Sequence, residues 1–376
     1  MSGGLNEKVK TYSPFTLALA AAALSVFITL ALLETALQVL PVRSYIPFSP
    51  VTAENPALRY KADIPYRYAA GWDFDAYNRG QTNVQGYVSD FDYVEDDPSP
   101  LIAVIGDSYV EARMIPFQKT MQEQLRKKLG SGVRVYNFAI GGAPLSQYLI
   151  FARHAKEKYH PDFLIVNIVS NDFDESLLRY KNLPRFHYFV FDTQDDIHPK
   201  LVPYNPSWVK EIVSRSALVR YLYFHLNFER TVNRILFSLR KKERTAEPAD
   251  AKNEKDVLSK RAIDVFLKLL PEYSGLPKSR ILLVVDGQRQ SIYTGEAEDI
   301  RQESYFGRMR THLIRQAGHS GYEIIDMHPV FERHYAAHGQ KFQFEKDGHW
   351  NTLAHRLAAQ EILENPALAP FKNKER

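Results

Sequence analysis

The sequence predicts an α/β protein, a three-layer sandwich in which a five-stranded parallel sheet lies between two layers of helices. Two observations carry this prediction. Five short runs, 101–105, 133–139, 163–169, 281–285 and 322–326, are dominated by apolar, β-prone residues, and segments with helical spacing separate most of them. Near-continuous apolar strands belong to a sheet covered on both faces, and strand–helix alternation makes the pairing parallel. The bulk composition agrees. At 376 residues the chain has room for one large domain or two ordinary ones, and 45% hydrophobic with 24% charged residues is the balance of a folded protein. A net charge of +4 with no nucleic-acid signature gives no case for DNA or RNA as a partner. The absence of cysteine excludes disulfides, thiolate metal sites and a cysteine nucleophile.

Taken in order, residues 1–10 form a short N-terminus and 11–40 a transmembrane anchor. Thr11 to Leu33 carry no formal charge and are mostly Ala, Leu, Val, Ile and Phe, long enough to cross a bilayer core of about 30 Å as a helix. Lys8 and Lys10 precede this run and only Arg43 lies close behind it. The positive-inside rule therefore puts the N-terminus in the cytoplasm and the rest of a single-pass protein outside the inner membrane. A cleaved signal peptide is the rival, but Glu34-Thr35-Ala36 makes a poor cleavage site. Residues 41–100, rich in Pro, Tyr, Asn and Asp, read as a tether and lead-in packed over the domain, with short strands near Gly86-Tyr87-Val88.

The sheet domain spans 101–368, with helices near 118–129, 145–159, 297–317 and 352–364. The amphipathic stretch from Val110 to Leu129 is expected to aim its N-terminal N–H groups at the substrate. One interval, 173–270, is too long for a simple crossover and reads as a helical insertion. Within it, 207–240 has helical spacing, with Val209, Ile212, Val213, Leu218, Leu222 and Leu226 among Arg215, Arg220, Arg230 and Arg234. It is read as a cap whose apolar face covers the domain, with contact to anionic lipid as the alternative. Residues 241–256 are charged and poor in apolar groups, the composition of a disordered loop.

The chemistry starts at Gly106-Asp107-Ser108, where the first strand breaks into a turn. A hydroxyl one residue past a buried strand is a common way to present a nucleophile. A serine nucleophile needs a base, a group to orient that base, and donors for the developing oxyanion. Three places pair an acid with a histidine: Asp195-Asp196-Ile197-His198, Asp326-Met327-His328 and Asp347-Gly348-His349. The first lies in the irregular insertion and reads as a turn. The second follows a strand and is equally a helix cap. The third precedes Trp350-Asn351 and the last helix, at the sheet edge where α/β proteins place reactive groups, so His349 is the expected base. Gly141-Gly142 ends the second strand and Asn171 the third, which supplies donors of the required types.

Together these segments resemble the SGNH (GDSL-type) hydrolase family, whose four blocks supply one Ser, Gly, Asn and His each. Gly106-Asp107-Ser108 matches the first block, Asn137-Phe138-Ala139-Ile140-Gly141-Gly142 the second, Ser170-Asn171-Asp172 the third and Asp347-Gly348-His349-Trp350-Asn351 the last. The resemblance implies a flavodoxin-like sandwich of strand order 2-1-3-4-5. It also implies a Ser108–His349–Asp347 acyl-enzyme mechanism and an oxyanion hole of Ser108 N–H, Gly142 N–H and the Asn171 side chain, with no metal or cofactor.

Two positions depart from the pattern. Tyr109 stands where many members have Leu, and its side chain is expected to face away from the chemistry. Lys346 stands where most members place the acid, three residues before the histidine. The Asp-x-His-Trp spacing is similar to the acetyltransferase-like branch found in polysaccharide modification. Asp347 is therefore the expected orienting acid and Glu345 the reserve. The function implied is a membrane-anchored extracytoplasmic serine esterase acting on O-acyl, above all O-acetyl, esters of a cell-surface glycan. A polysaccharide O-acetyltransferase using the same acyl-enzyme, and a catalytically silent envelope scaffold, are the alternatives.

Overall fold

The computed structural model describes residues 13–191, 197–226 and 249–372. Its centre is a parallel sheet of five strands, with two hairpins beside it. The strands in chain order are β1 (Pro65–Ala70), β2 (Asp75–Gln81), β3 (Leu101–Gly106), β4 (Arg134–Ala139), β5 (Phe163–Ile168), β6 (His187–Phe191), β7 (Ile197–Leu201), β8 (Ile281–Val285) and β9 (Glu323–Asp326). The central sheet runs β4-β3-β5-β8-β9, which is the expected order 2-1-3-4-5 for its five members. Strand neighbours are parallel throughout, with Ile105 opposite Phe138 on one side and Val166 on the other.

Successive residues of a strand point to opposite faces, and the burial pattern follows. Leu101, Ala103 and Ile105 enter one core, while Ile102 and Val104 enter the other. The first core is closed by helices Leu145–Tyr159, Ala249–Ser274 and Tyr305–His319 together with the lead-in from Ile46 to Tyr93. Helices Met121–Leu129, Met327–His338 and Thr352–Glu364 close the second. The layers are therefore helix, sheet, helix.

The lead-in is more ordered than its composition suggests. It folds β1 and β2 into an antiparallel hairpin, is pinned internally by a bridge from Phe48 to Tyr60, and is stitched to the rest by one from Val51 to Tyr204. Near Gly86–Val88 the structure holds a single bridge, Thr82 to Val88, rather than a strand.

The interval 173–270 is not wholly helical. It opens with the β6–β7 hairpin, continues through helices Trp208–Val213 and Ala217–Phe224, and ends in the crossover helix Ala249–Ser274. That last helix corrects the expectation of disorder over 241–256: from Ala249 onward the chain is helical. Charge was the misleading signal, because the charged residues are paired across the fold. Lys255 reaches Asp174 at 2.6 Å, and Arg308 holds Asp256 at 3.0 Å. Residues 227–248, including Arg230 and Arg234, lie outside the described residues, as do Lys8, Lys10, Asp195 and Asp196.

The insertion helices cover the domain only in part. Val209, Ile212 and Val213 of the first are exposed, although Val213 lines a cleft shared with Phe48, Tyr60 and Gly141. The second helix is fixed differently. Glu34 Oε1 accepts the N–H of Ala217 at 2.8 Å, and Oε2 accepts the Leu218 N–H at 2.9 Å and the Ser216 hydroxyl at 2.7 Å. A carboxylate at a helix N-terminus satisfies its orphan donors and complements its dipole. Glu34 belongs to the helix Pro14–Val39, which is long and apolar enough to cross a membrane, with a mean hydropathy of 2.4 and none of that window buried.

Candidate active site

The first strand delivers Ser108. Asp107 caps the short helix Ser108–Glu111 by accepting the Tyr109 N–H at 2.9 Å, and Ser108 sits at the first helical position. The helix expected from Val110 to Leu129 is interrupted: Ala112 adopts φ 51°, ψ 42°, which stops the helix after one turn, and a new one begins at Met121 behind the Thr120 cap. Any dipole contribution at Ser108 is thus that of a single turn.

The last block is brought to this point from the far end of the chain. His349 Nε2 lies 2.8 Å from Ser108 Oγ, and His349 Nδ1 is hydrogen-bonded to Asp347 Oδ1, which also accepts the His349 backbone N–H at 3.1 Å. Glu345 is exposed on the surface and takes no part in this contact. Burial would raise the Asp347 carboxyl, but hydrogen bonds from His349 and Tyr68 outweigh it and hold the group down at about 2. Tyr68, on β1, donates its hydroxyl to Asp347 Oδ2 at 2.5 Å. No sequence signal identified it, because it belongs to the irregular lead-in and carries no motif.

Tyr109 does not face away from the chemistry. Its ring lies 5.2 Å from that of His349 and 5.7 Å from that of Trp350, and its hydroxyl donates to the Gly348 carbonyl at 3.0 Å. The larger ring thus reaches the loop that a leucine could not hydrogen-bond. Arg289 completes this bracing. It donates to Gly348 O at 2.9 Å, Gln343 Oε1 at 2.7 Å and the Tyr109 hydroxyl at 2.6 Å. Buried Asp286 faces it at 3.2 Å and accepts the Trp350 indole N–H at 2.8 Å. The loop carrying Asp347 and His349 is therefore tied to the sheet by a buried ion pair.

The residues expected to supply donors, Gly142 and Asn171, lie with Gly141 at the ends of β4 and β5. Gly142 has φ +79°, where an L side chain is strained, and a Cβ on Gly141 would stand 2.9 Å from Glu111 Oε2 and 3.6 Å from Ser108 Cβ. Neither Ser108 N–H nor Gly142 N–H finds an acceptor among the described residues. Asn171 lies in the 3₁₀ turn Ser170–Asp172 just after β5 and donates one amide hydrogen to Glu175 Oε2 at 3.2 Å. Lys181 links the two strand ends, pairing with Glu175 and donating to Gly142 O at 2.9 Å.

Two buried acids sit beneath this surface. Asp172 accepts Tyr148 O–H at 3.0 Å and Val169 N–H at 2.8 Å, and burial plus the nearby Asp107 raise its carboxyl well above the ordinary range. Asp107, 3.2 Å from Ser108 Oγ, is raised by burial to about 6. Of the other acid–histidine pairs, His328 accepts the Gln288 N–H at 3.1 Å while Asp326 caps its helix, and His198 lies in β7. Both are structural positions away from Ser108.

Residues 102–210 match the family model of GDSL-like lipase/acylhydrolases, a span that contains Ser108, Gly142 and Asn171 but not the last block. No curated protein matches the chain. Three solved structures similar to it are hydrolytic proteins. A member of the lipolytic G-D-S-L family from Veillonella parvula has 11% identity over 71% of this chain and 97% of its own, with a TM-score of 0.36. The lipase/acylhydrolase from Enterococcus faecalis has 9% identity over 70% and 93%, with a TM-score of 0.36. The lipase Lip_vut3 from a goat rumen metagenome has 11% identity over 70% and 96%, with a TM-score of 0.39.

Proposed function

Because the chain belongs to the SGNH (GDSL-type) hydrolase family and is an enzyme of ester bonds, we propose that it cleaves O-acyl esters through an acyl-enzyme on Ser108. The observation that carries this reading is the 2.8 Å contact between Ser108 Oγ and His349 Nε2, with Asp347 on the other ring nitrogen. In the proposed cycle His349 takes the Ser108 proton as Oγ attacks the ester carbonyl. Asp347, ionised well below neutral pH, fixes the tautomer and faces the imidazolium that forms. Ser108 N–H, Gly142 N–H and the second Asn171 amide hydrogen receive the oxyanion. Losing one such donor costs about 3–4 kcal/mol of barrier. His349 then protonates the departing alcohol, and water repeats the sequence to release the acid.

The helix Pro14–Val39 serves as a retained anchor in this reading, with the hydrolase domain outside the cytoplasm. Its length, its unburied apolar surface and its attachment to Ala217 through Glu34 support that role. Acetyl esters of a surface glycan are the substrates to try first.

The test is p-nitrophenyl acetate hydrolysis by the full-length protein in detergent, beside Ser108→Ala and His349→Ala. Each substitution should remove at least a thousandfold of the rate. Equal rates in all three proteins, or a Ser108 that resists fluorophosphonate labelling, would overturn the proposal. Adding an O-deacetylated oligosaccharide reports whether sugar competes with water for the acyl group.

A further inference from the structure

A cleft of about 310 Å³ opens beside Gly141 and runs outward between the lead-in and the two insertion helices. Gly141 ties it to the chemistry, since its missing Cβ would stand 3.6 Å from Ser108 Cβ and 3.8 Å from Arg113 Nη2. One wall is apolar, formed by Ile46, Phe48, Val213, Val219 and Phe224. The other feature is charge: Arg113, Arg185, Lys210 and Arg220 line the cleft, and among the described residues no carboxylate does.

These cations are not equally compensated. Arg113 is neutralised by Glu111, whose Oε2 lies 2.9 Å from its Nε. Arg220 donates to the backbone carbonyls of Val42 and Arg43 at 3.5 and 3.1 Å and makes no ion pair among the described residues. Arg185 stands furthest from neutrality. Among the described residues its guanidinium makes no side-chain hydrogen bond or ion pair, and its Nε is buried without a partner. The guanidinium lies over the Phe48 and Phe186 rings, its Cζ 4.6 and 4.8 Å from their centroids. Its backbone sits at φ +90°, a strained conformation for a non-glycine residue.

A buried polar atom left unpaired is costly, and a guanidinium offers paired N–H donors to a carboxylate or phosphate. A cleft with uncompensated positive charge and low-dielectric walls also concentrates anions at its mouth.

We propose that this cleft is a subsite for a negatively charged group, carboxylate or phosphate, carried by the ester substrate, with Arg185 as its principal contact. The inference rests on the reading of Ser108 as nucleophile and adds a substrate class to it: acyl esters of anionic molecules. A uronate-bearing sugar and a phosphate-bearing headgroup offer the same chemistry to a guanidinium, and the probes below separate them.

The experiment compares full-length wild type with Arg185→Gln and Arg185→Lys on two esters, neutral p-nitrophenyl acetate and anionic 4-acetoxybenzoate. The charged-to-neutral ratio of kcat/KM should fall at least tenfold in Arg185→Gln, recover in part in Arg185→Lys, and decline with added salt in wild type. Glucuronate and glycerol 3-phosphate are titrated as inhibitors, and the one that competes more tightly identifies the source. Binding of both probes to wild type and Arg185→Gln is also followed calorimetrically. Loss of binding in the variant supports the subsite even if neither ester is cleaved, a result that would overturn only the esterase reading. A wild type that neither prefers the anionic ester nor binds either probe, or an unchanged ratio in Arg185→Gln, overturns the subsite.

Discussion

Tyr68 stands at the end of a relay that no motif announces: Ser108 to His349, His349 to Asp347, Asp347 to Tyr68. Its hydroxyl gives Asp347 a second donor, so the carboxylate is held from both oxygens and the imidazole from one side. A hydrogen bond to a charged group contributes about 1.5–3 kcal/mol. Tyr68→Phe is expected to lower kcat about tenfold with little change in KM, because the lost bond positions the acid without touching substrate; steady-state kinetics read the split. Asp107 invites a different test. Its carboxyl, raised by burial to about 6, binds a proton more tightly in the fold than in the unfolded chain. Its stabilising contribution is therefore complete below the ordinary Asp value and is lost as pH rises through about 6, a difference of about 3 kcal/mol. Asp107→Asn should raise the melting temperature relative to wild type at pH 8 and not at pH 4, as thermal melts at the two pH values would reveal.

The loop from Lys341 to Asn351 holds its shape through Arg289, whose guanidinium touches Gly348, Gln343, Tyr109 and Asp286 at once. Arg289→Lys keeps the charge but cannot make this fork. It should lower kcat by tenfold or more and speed amide exchange across 341–351, whereas exchange in β3 stays slow; mass-spectrometric hydrogen exchange separates the two regions. Element scale is also where the sequence was most and least legible. Strands β3, β4, β5 and β8 were readable because a strand buried on both faces is almost wholly apolar, whereas the edge strand β9 was marked only by Ile324 and Ile325; the order of the five follows from the resemblance of the blocks. That Ser108, Asp347 and His349 meet in space could be anticipated because each sits where a strand or loop meets a helix. The β1–β2 hairpin was not, since Asp75–Gln81 is polar and half-exposed and has no alternation to detect. Arg289 and Asp286 were hidden for another reason: charge in a chain is usually solvated, and only the fold reveals that these two are buried together.

At the scale of the molecule, the apolar helix and the sheet domain are joined by more than a tether. Glu34 caps the helix Ala217–Phe224, and Leu37, Val42 and Ala217 pack into a small core of their own. Glu34→Ala should loosen that helix by about 1 kcal/mol, seen as faster amide exchange over 217–224 and earlier proteolytic cleavage nearby. The long-range contacts have a consequence in time as well as in space. Ser108 and its base are separated by 241 positions, and Tyr68 and the acid it supports by 279. A polypeptide leaving the ribosome therefore carries Ser108 long before His349 exists to meet it. On the proposed mechanism, a chain interrupted before His349 carries a hydroxyl without its base, so ester cleavage awaits synthesis of the last block.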